Sequence, residues 1–311
     1  MLHEVAPEAV QGGREMDAGD LRVFEAVARL GSMSRAGEEL HTVQSNVTTR
    51  IRSLEQELGV ELLHRTNRGV VPTPAGTRLL PYAGRVARLL QDARQAALDE
   101  GTPAGPLTLG TLETTAAIRL SPVMARYVAA FPHVDLILRT GTSCELIEQV
   151  LGRRLDGAFV CGPANHPELA EDHLFDEELV VLAPPAVDDI DAFLESSNLN
   201  VIVLRAGCSY RLILEAALAR RGIVGFRLLE FGTLETIFST VGAGLGITLF
   251  PRRLLGSACP HGRVSVHRLE GEDMAVRTVF VRRHDTYASS ALLRFVDEAR
   301  SAWSSIRLAA E

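Results

Sequence analysis

Residues 32–59 read SMSRAGEELHTVQSNVTTRIRSLEQELG, and this stretch decides the fold of the N-terminal region. It predicts a short helix over residues 34–40, a break at His41, and a second helix over residues 43–58 that ends at Gly59. Three apolar residues recur there at the spacing of one helix face: Val47, Ile51 and Leu54. A short helix, a tight turn and a second helix with a polar face form the arrangement that lays a helix in the major groove of DNA.

The polar face of the second predicted helix holds side chains that can reach base edges. Gln, Asn and Arg have donor and acceptor patterns that match bases, and Ser and Thr can bond to either kind of group. The candidate DNA contacts of the two helices are Ser34, Gln44, Ser45, Asn46, Thr48, Thr49 and Arg50.

A β-hairpin is predicted directly after these helices. Leu62 and Leu63 begin one strand, residues 67–69 form a turn, and Val70 and Val71 begin the second strand. Arg65 and Arg68 then lie at the tip, as in the wing of a winged helix-turn-helix. An exposed arginine on a turn is common, but the helices, hairpin and arginines together favour DNA binding.

The charge of the chain limits how strongly it can hold DNA. The net charge is −7, and all 32 basic residues are arginines. Over residues 16–75 there are seven arginines against eight acidic residues. Binding would therefore depend on a few arginines placed by geometry, with a correspondingly small salt dependence.

A long helix is predicted over residues 74–100, because Thr73 can cap it and Pro74 suits the first helical position. Its apolar residues alternate spacings of four and three, as in a coiled-coil seam. They are Leu79, Ala83, Val86, Leu90, Ala93 and Ala97. So narrow a stripe predicts a homodimer through this helix, the alternative being a helix that packs on its own domain.

The first residues of the chain and the lengths of its apolar runs indicate where the protein is expected to act. Residues 1–15 show no apolar period and predict a flexible leader, with Met16 as an alternative start. No apolar run approaches the roughly 20 residues of a membrane span, and no secretion signal is present. We therefore expect a cytoplasmic protein without a membrane partner.

Beyond a linker at residues 100–105, strands and helices alternate, which predicts α/β domains with mostly parallel sheets. The pentapeptide GTLET occurs twice here, at residues 110–114 and 232–236, each time after an apolar run and before a helical pattern. Ligands of such sheets bind at the carboxyl ends of strands. The turns there predict a small-molecule cleft lined by Thr114, Thr115, Thr142, Ser143, Ser209, Tyr210 and Thr233. Each hydroxyl could instead be an ordinary helix cap.

Catalysis and metal binding have little support in the sequence. None of the motifs GxSxG, HExxH or the phosphate-binding loop occurs, and the four cysteines are scattered without a CxxC pair. We therefore expect no catalytic residues, no metal and no cofactor. Cys144 and Cys208 would be redox sensors if the fold brought them together, although buried structural thiols are commoner.

From about Asp17 to Trp303, the chain resembles the LysR-type transcriptional regulators. The motifs AxxRxGSxSxAgeeL, RIRxLEqELG, LhRtnRgV, TPAG and VgAGLGItLfP occur in order along the sequence. The resemblance implies an N-terminal winged helix-turn-helix over residues 16–73, a linker helix over 74–100, and a two-lobed α/β effector domain like a periplasmic binding protein. It implies one lobe from residues 105–163 and 265–303, and the other from residues 164–264.

The resemblance also implies function. Members of the family form dimers of dimers on interrupted palindromic promoter sites, and a small effector alters lobe closure and DNA bending. Carried over to this chain, it places base contacts on residues 44–46, Thr49 and Arg50, wing contacts on Arg65 and Arg68, and effector contacts on the hydroxyls above. Thr49 departs from a frequent arginine of the family, and Pro72 from a frequent arginine or leucine.

The effector expected from these residues is a small carboxylate or an amphipathic metabolite. Two alternatives remain open at this point. One is a thiol-based redox-responsive regulator, and the other is a two-lobed small-molecule-binding protein without promoter function.

Overall fold

The computed structural model describes residues 16–66, 69–195, 198–204, 208–255, 262–269 and 274–308. The predicted leader therefore lies outside the described residues. The chain divides into two compact units at the junction of Ala97 and Leu98. No helix in the described ranges is long and apolar enough to cross a membrane.

The first unit is a winged helix-turn-helix followed by one long helix, as predicted. Its elements are α1 (Ala18–Leu30), α2 (Met33–Glu39), α3 (Gln44–Leu58), β1 (Leu63–Thr66), β2 (Gly69–Pro72) and α4 (Pro74–Leu98). Asp17 caps α1 by accepting a hydrogen bond from the Asp20 amide at 2.8 Å, and Gly31 ends that helix with a φ of 64°. Local capping therefore sets both ends of α1.

A buried apolar core holds α1, α2 and α3 together. The side chains of Phe24, Val27, Val47, Ile51 and Leu54 are fully buried. Full burial of such side chains stabilises the fold by about 1.5–3 kcal/mol each. The apolar residues predicted for one face of the second helix thus hold α3 in the core, and the opposite face is left to solvent.

The turn between α2 and α3 needs a glycine. The amide of Thr42 donates to the Gly37 carbonyl at 2.8 Å, and a Cβ atom on Gly37 would lie 2.8 Å from the Thr42 carbonyl oxygen. His41 in this turn has a φ of 53°. The predicted break at His41 is confirmed, and close backbone approach at Gly37 sets the angle between the two helices.

The hairpin of β1 and β2 is fixed to the helices by hydrogen bonds that backbone amides in and beside its strands donate. The carboxylate of Glu55 on α3 accepts from the amides of Leu62 and Leu63 at 2.8 and 3.2 Å. The amide of Val70 on β2 donates to the Gly31 carbonyl at 2.9 Å. The wing is therefore held at both of its strands by α1 and α3.

Helix α4 departs in part from the sequence prediction. Its N-terminus is capped by the Thr73 hydroxyl, which accepts from the Gly76 amide at 3.0 Å. Ala83 is fully buried, and Leu79 and Val86 pack on the core of their own unit. The expectation that the whole stripe faces a second copy is wrong for this half, because the core covers it. In the other half Leu90, Ala93 and Ala97 are exposed.

The second unit contains the α/β region. Its first elements are β3 (Gly105–Thr111), α5 (Glu113–Thr115), a π-helical stretch (Ala116–Leu120), α6 (Ser121–Ala130), β4 (Val134–Thr140), α7 (Ser143–Leu151) and β5 (Gly157–Gly162). Next come β6 (Leu169–Ala183), α8 (Ile190–Leu194), β7 (Asn200–Val203), α9 (Ser209–Arg220), β8 (Arg227–Glu230) and α10 (Leu234–Gly242). The last are β9 (Thr248–Pro251), a 3₁₀ turn (Arg252–Leu254), β10 (Ser265–His267), β11 (Ala275–Arg283) and α11 (Ser290–Leu308).

Within its described residues, this unit contains a seven-stranded mixed sheet and a separate two-stranded sheet of β7 and β8. β3 pairs in parallel with β4 and β5, and β7 pairs in parallel with β8. β11 runs antiparallel to both β5 and β6, and the far end of β6 pairs antiparallel with β9 and β10. The expectation of mostly parallel sheets therefore fails at β6, because this long strand passes from one set of strands to the other.

Separate hydrophobic cores show that the second unit has two lobes. One lobe packs Phe159, Phe280, Phe295 and Trp303 around β3 and α11. The other packs Phe238 and Phe250 around β7, α9 and α10. The lobe boundaries at residues 163 and 265 remain predictions. The strand pairing places β10 beside the far end of β6, next to the core of the second lobe.

Candidate functional site

The exposed face of α3 carries most of the predicted DNA contacts. Gln44, Ser45, Asn46 and Thr49 are exposed, and Thr48 is half-buried. Their hydrogen bonds are local: Ser34 Oγ donates to Gln44 Oε1 at 3.3 Å, Asn46 Nδ2 to Thr42 Oγ1 at 2.9 Å, and Thr49 Oγ1 to the Ser45 carbonyl at 2.9 Å. Most polar atoms of this face therefore remain available to an incoming duplex.

Arg50 lies elsewhere. Its Nε is 3.4 Å from Asp20 Oδ1 and its Nη2 is 3.9 Å from Asp17 Oδ2, so it pairs with the first turn of α1. Successive residues of an α-helix turn by about 100°, which places Arg50 about 140° around α3 from Ser45. Its contacts in this structure brace α3 against α1, and its predicted role in DNA binding stays a prediction.

Arg52 is a candidate that sequence reasoning missed. At about 100° per residue it lies about 20° around α3 from Ser45, opposite the buried face. It is exposed, and no ion pair or hydrogen bond of its side chain is found among the described residues. The helical spacing alone, seven residues after Ser45 and three after Thr49, would have indicated it.

The wing supplies one described arginine. Arg65 lies on β1 and is exposed, opposite Val70 in the hairpin register. Arg68 lies outside the described residues. Of the two predicted wing contacts, Arg65 is thus the one whose position can be stated.

A cavity of about 50 Å³ lies at the carboxyl ends of the strands in the second unit. Its lining is Leu112, Glu113, Thr114, Thr140, Gly141, Thr142, Cys161, Leu204, Cys208, Ser209 and Tyr210. Four predicted effector residues are among them: Thr114, Thr142, Ser209 and Tyr210. Thr115 and Ser143 are buried beside the cavity without lining it, and Thr233 does not line it.

Hydroxyl pairs join the two lobes across this cavity. Thr114 Oγ1 and Tyr210 Oη are 2.9 Å apart. Ser209 Oγ donates to Ser143 Oγ at 3.3 Å, and Ser143 Oγ also accepts from the Cys161 amide at 3.1 Å. Residues from the turns after β3, β4 and β7 thus meet in one place, as the sequence predicts.

The two GTLET copies are not structurally equivalent. In the first, Gly110 and Thr111 belong to β3 and Leu112 precedes the helix. In the second, Gly232 follows β8 and Thr233 is the cap, accepting from the Thr236 amide at 3.3 Å. The residue that precedes the helix is therefore the third of the motif in the first copy and the second in the other copy. Only the first copy lines the cavity.

Burial raises the pKa values of the phenol and thiol groups at the cavity. Desolvation raises the pKa of Tyr210 well above its ordinary value. It also raises the pKa of the Cys161 thiol to about 11 and raises the pKa of Cys208. Both thiols are consequently protonated at neutral pH. Of the described lining residues, Glu113 alone carries a formal charge.

The predicted redox pair is not the pair that the cavity brings together. Cys208 lines the cavity with Cys161, whereas Cys144 is exposed and outside the lining. A protonated thiol is a poor nucleophile. The surroundings of Cys161 and Cys208 therefore give the redox alternative little support. No group of three metal-ligating side chains occurs within the described ranges.

A buried ion pair near the cavity was also missed from the sequence. Nε and Nη2 of Arg119 each lie 2.7 Å from Glu177 Oε1, and both side chains are almost fully buried. The Arg119 guanidinium also stacks 3.8 Å above the ring centre of Phe175. The pair ties the π-helical stretch after the first GTLET copy to strand β6.

The fold and these surfaces define a class of protein. A winged helix-turn-helix with a solvated polar helix face, joined to a two-lobed module with a polar cleft, is a DNA-binding regulator that responds to a small molecule. The profile described as "Bacterial regulatory helix-turn-helix protein, lysR family" matches residues 18–77, and that described as "LysR substrate binding domain" matches residues 100–304. The chain belongs to the LysR family of transcriptional regulators.

Relatives from bacteria agree over nearly the whole chain. The HTH-type transcriptional regulator GltR of Bacillus subtilis is 39% identical over 280 residues, covering 90% of this chain and 95% of the relative. The HTH-type transcriptional regulator SoxR of an Arthrobacter species is 37% identical over 287 residues, covering 92% and 98%. These relatives are regulators rather than enzymes.

Solved structures share the fold. A full-length OxyR point variant from Pseudomonas aeruginosa superposes with a TM-score of 0.69 at 21% identity, covering 93% of this chain and 95% of that one. Full-length CbnR complexed with its target DNA gives a TM-score of 0.61 at 23% identity, covering 92% and 100%. The protein is thus a DNA-binding transcriptional regulator modulated by an effector.

Proposed function

We propose that this regulator reads promoter DNA with the exposed face of α3 and with the wing. The observation that carries the proposal is the division of α3 into a fully buried apolar face and an exposed polar face. The direct contacts would come from Ser34, Gln44, Ser45, Asn46, Thr48, Thr49, Arg52, Arg65 and Arg68. In this proposal Arg50 has a bracing role through Asp17 and Asp20.

The proposed assembly is a homodimer through residues 74–100, which pairs further into a tetramer. On α4, Leu89 and Leu90 are 60% and 46% exposed, a poor arrangement for a monomer in water. A groove of about 390 Å³ lies beside them between α1 and α4. Its position supports a dimer surface on the second half of α4.

The proposed effector site is the cavity between the lobes. Binding there would change how the lobes close on each other, and with it the bending of promoter DNA. The sequence prediction named a small carboxylate or an amphipathic metabolite. The lining favours the amphipathic class, because its one formal charge among described residues is negative. Regulation of chromosomal DNA would take place in the cytoplasm and would need binding but no catalysis.

A gel-shift titration with the DNA that flanks the protein's own gene tests this function. The full chain should shift that DNA in the presence of excess random competitor. Ser45→Ala and Arg65→Ala should each weaken the specific complex. Arg126→Ala, which removes an exposed arginine of the second unit, serves as the charge-matched control and should leave binding unchanged. Equal retention of random and flanking DNA by the unaltered protein would contradict the proposal.

A further inference from the structure

We propose that the ligand of the cavity carries a positively charged amino group on a short aliphatic chain, and that the Glu113 carboxylate binds this group. The inference rests on the proposed effector role of the cavity. It goes beyond that role by naming the chemical class of the effector.

Glu113 is placed to receive a cation. It is the first residue of α5, directly after β3 and Leu112, and it lines the cavity while half-buried. Among the described residues its carboxylate has no ion pair and no hydrogen bond. Partial removal of a carboxylate from water costs free energy, and a cation bound to it would offset that cost.

Two described arginines on elements that contribute to or follow the cavity wall are already engaged. Arg119 pairs with Glu177 at 2.7 Å, and Arg211 pairs with Glu215 at 2.8 Å. Neither side chain lines the cavity. The described lining therefore carries one negative charge and no positive charge, which attracts an ammonium group and repels a carboxylate.

Two helices begin at the cavity, α7 and α9, and the start of α7 offers little to an anion. Thr142 caps α7 by accepting from the Glu145 amide at 3.3 Å, and Glu145 Oε2 accepts from the Thr142 amide at 2.9 Å. This capping box sets a second carboxylate against the positive end of the helix dipole. At α7, the positive helix end that would attract an anion is thus already satisfied by side chains of the same helix.

The remaining lining suits a short carbon chain. Leu112 and Leu204 are apolar, and the thiols of Cys161 and Cys208 behave as small hydrophobic groups when protonated. The hydroxyls of Thr114 and Tyr210 are bonded to each other. A volume of about 50 Å³ compares with the roughly 10–15 Å³ that one water molecule needs on the same measure, so the cavity has room for a small molecule with a short carbon chain.

Matched small molecules test the charge requirement on the full chain. The probes are propylamine and ethanolamine, their neutral counterparts propanol and ethylene glycol, and the acids propionate and glycolate. A ligand that binds only the folded state raises the melting temperature. We expect the amines to raise the melting temperature of the second unit's transition and the neutral and acidic probes to leave it unchanged.

The GTLET repeat supplies a matched control variant. Glu235 occupies the same position in the second copy, outside the cavity, where it pairs with Arg263 at 3.0 Å. Glu113→Gln should weaken amine binding by about tenfold, as expected for the loss of one charge-assisted hydrogen bond. Glu235→Gln should bind the amines as the unaltered protein does. A Glu113→Gln protein that melts at the unaltered temperature without probe shows that the fold is intact.

Three results would overturn the inference: a larger shift with the acids than with the amines, equal amine binding by Glu113→Gln, or no shift with any amine at millimolar concentration. DNA binding is read separately by gel shift. A chain that shifts its promoter but ignores the amines refutes the ligand class alone. A chain that shifts no DNA refutes the proposed function.

Discussion

Tyr210 Oη lies 2.9 Å from Thr114 Oγ1, although 96 positions separate the two residues in the chain. Thr114 follows β3 in one lobe, and Tyr210 packs in the core of the other lobe. With the contact of Ser209 and Ser143, this bond links the two lobes across the cavity. An effector that enters must compete with these hydroxyls or join them.

The first prediction concerns that bond. Tyr210→Phe keeps the buried ring and removes the hydroxyl, so it should lower the free energy of unfolding of the second unit by about 1 kcal/mol. A double-mutant cycle with Thr114→Val isolates the coupling between the hydroxyls. Urea denaturation followed by fluorescence measures it. Strict additivity of the two changes would show that the hydroxyls do not interact in solution.

The control for this cycle is Tyr82→Phe. Tyr82 lies on α4 with 58% of its surface exposed, so loss of its hydroxyl should leave the free energy of unfolding unchanged. A comparable loss in this variant would mean that the assay reports something other than the bond across the cavity.

The buried ion pair gives the second prediction. Removal of one partner by Arg119→Met leaves the Glu177 charge buried and should destabilise the second unit by about 3–5 kcal/mol. Replacement of both, by Arg119→Met with Glu177→Leu, should cost much less because no charge remains without a partner. Thermal and urea denaturation measure both. Equal losses in the single and double variants would mean that the pair contributes through shape rather than charge.

The third prediction concerns Asp99, which directly follows α4. Its Oδ2 accepts from the Ser290 amide at 2.6 Å and from Tyr287 Oη at 3.1 Å, and Oδ1 accepts from the Gly101 amide at 2.9 Å. Hydrogen bonds to the charged form lower the pKa of Asp99 to about 2. The carboxylate therefore caps α11 and fixes the linker to it.

A lowered pKa in the folded state means that the stabilisation is present above the unfolded pKa, about 4, and is lost as the pH falls toward 2. Asp99→Asn should consequently be less stable than the unaltered protein at neutral pH, and the difference should shrink between about pH 4 and pH 2. Urea denaturation across this range measures the difference. A constant difference would show that ionisation of Asp99 plays no part.

The fourth prediction decides the redox alternative. Because burial raises the pKa of Cys161 to about 11 and raises the pKa of Cys208, both thiols should react slowly with a neutral alkylating agent at neutral pH. Cys144 is exposed and should react faster. Mass spectrometry of timed samples measures the three rates. DNA binding that changes with peroxide, and stops changing in Cys144→Ser with Cys208→Ser, would instead support a redox regulator.

The local parts of this fold could be predicted from the sequence. Helices α1 to α3 depend on apolar spacing and on caps such as Gly31 and Gly59, all within a few residues of one another. The wing and the long helix follow from equally local signals. Capping and apolar periodicity act over one or two helical turns, which is why they can be recognised in a single sequence.

The rest depends on contacts between distant residues. Arg119 and Glu177 are 58 positions apart, and nothing near either of them indicates the other. Thr233 was expected at the cavity because its pentapeptide is repeated. In that second copy the helix begins one position earlier in the motif, and Thr233 is its N-cap. Arg52 is the opposite case, since the helical spacing contained its position although the sequence analysis did not name it.

That contrast is the basis of the fifth prediction. Arg52 lies on the exposed face of α3, so Arg52→Ala should weaken DNA binding and lower the slope of log affinity against log salt by about 1 if it contacts phosphate. If it contacts a base, the loss should be about 1–3 kcal/mol and specific to the promoter. Arg50→Ala should instead lower the melting temperature of the first unit, because Asp17 and Asp20 lose their contacts with Arg50. Its DNA affinity, measured well below that melting temperature by fluorescence anisotropy, should fall equally for promoter and random DNA. A promoter-specific loss in Arg50→Ala, with the melting temperature unchanged, would assign base reading to Arg50 and reduce Arg52 to a solvated charge.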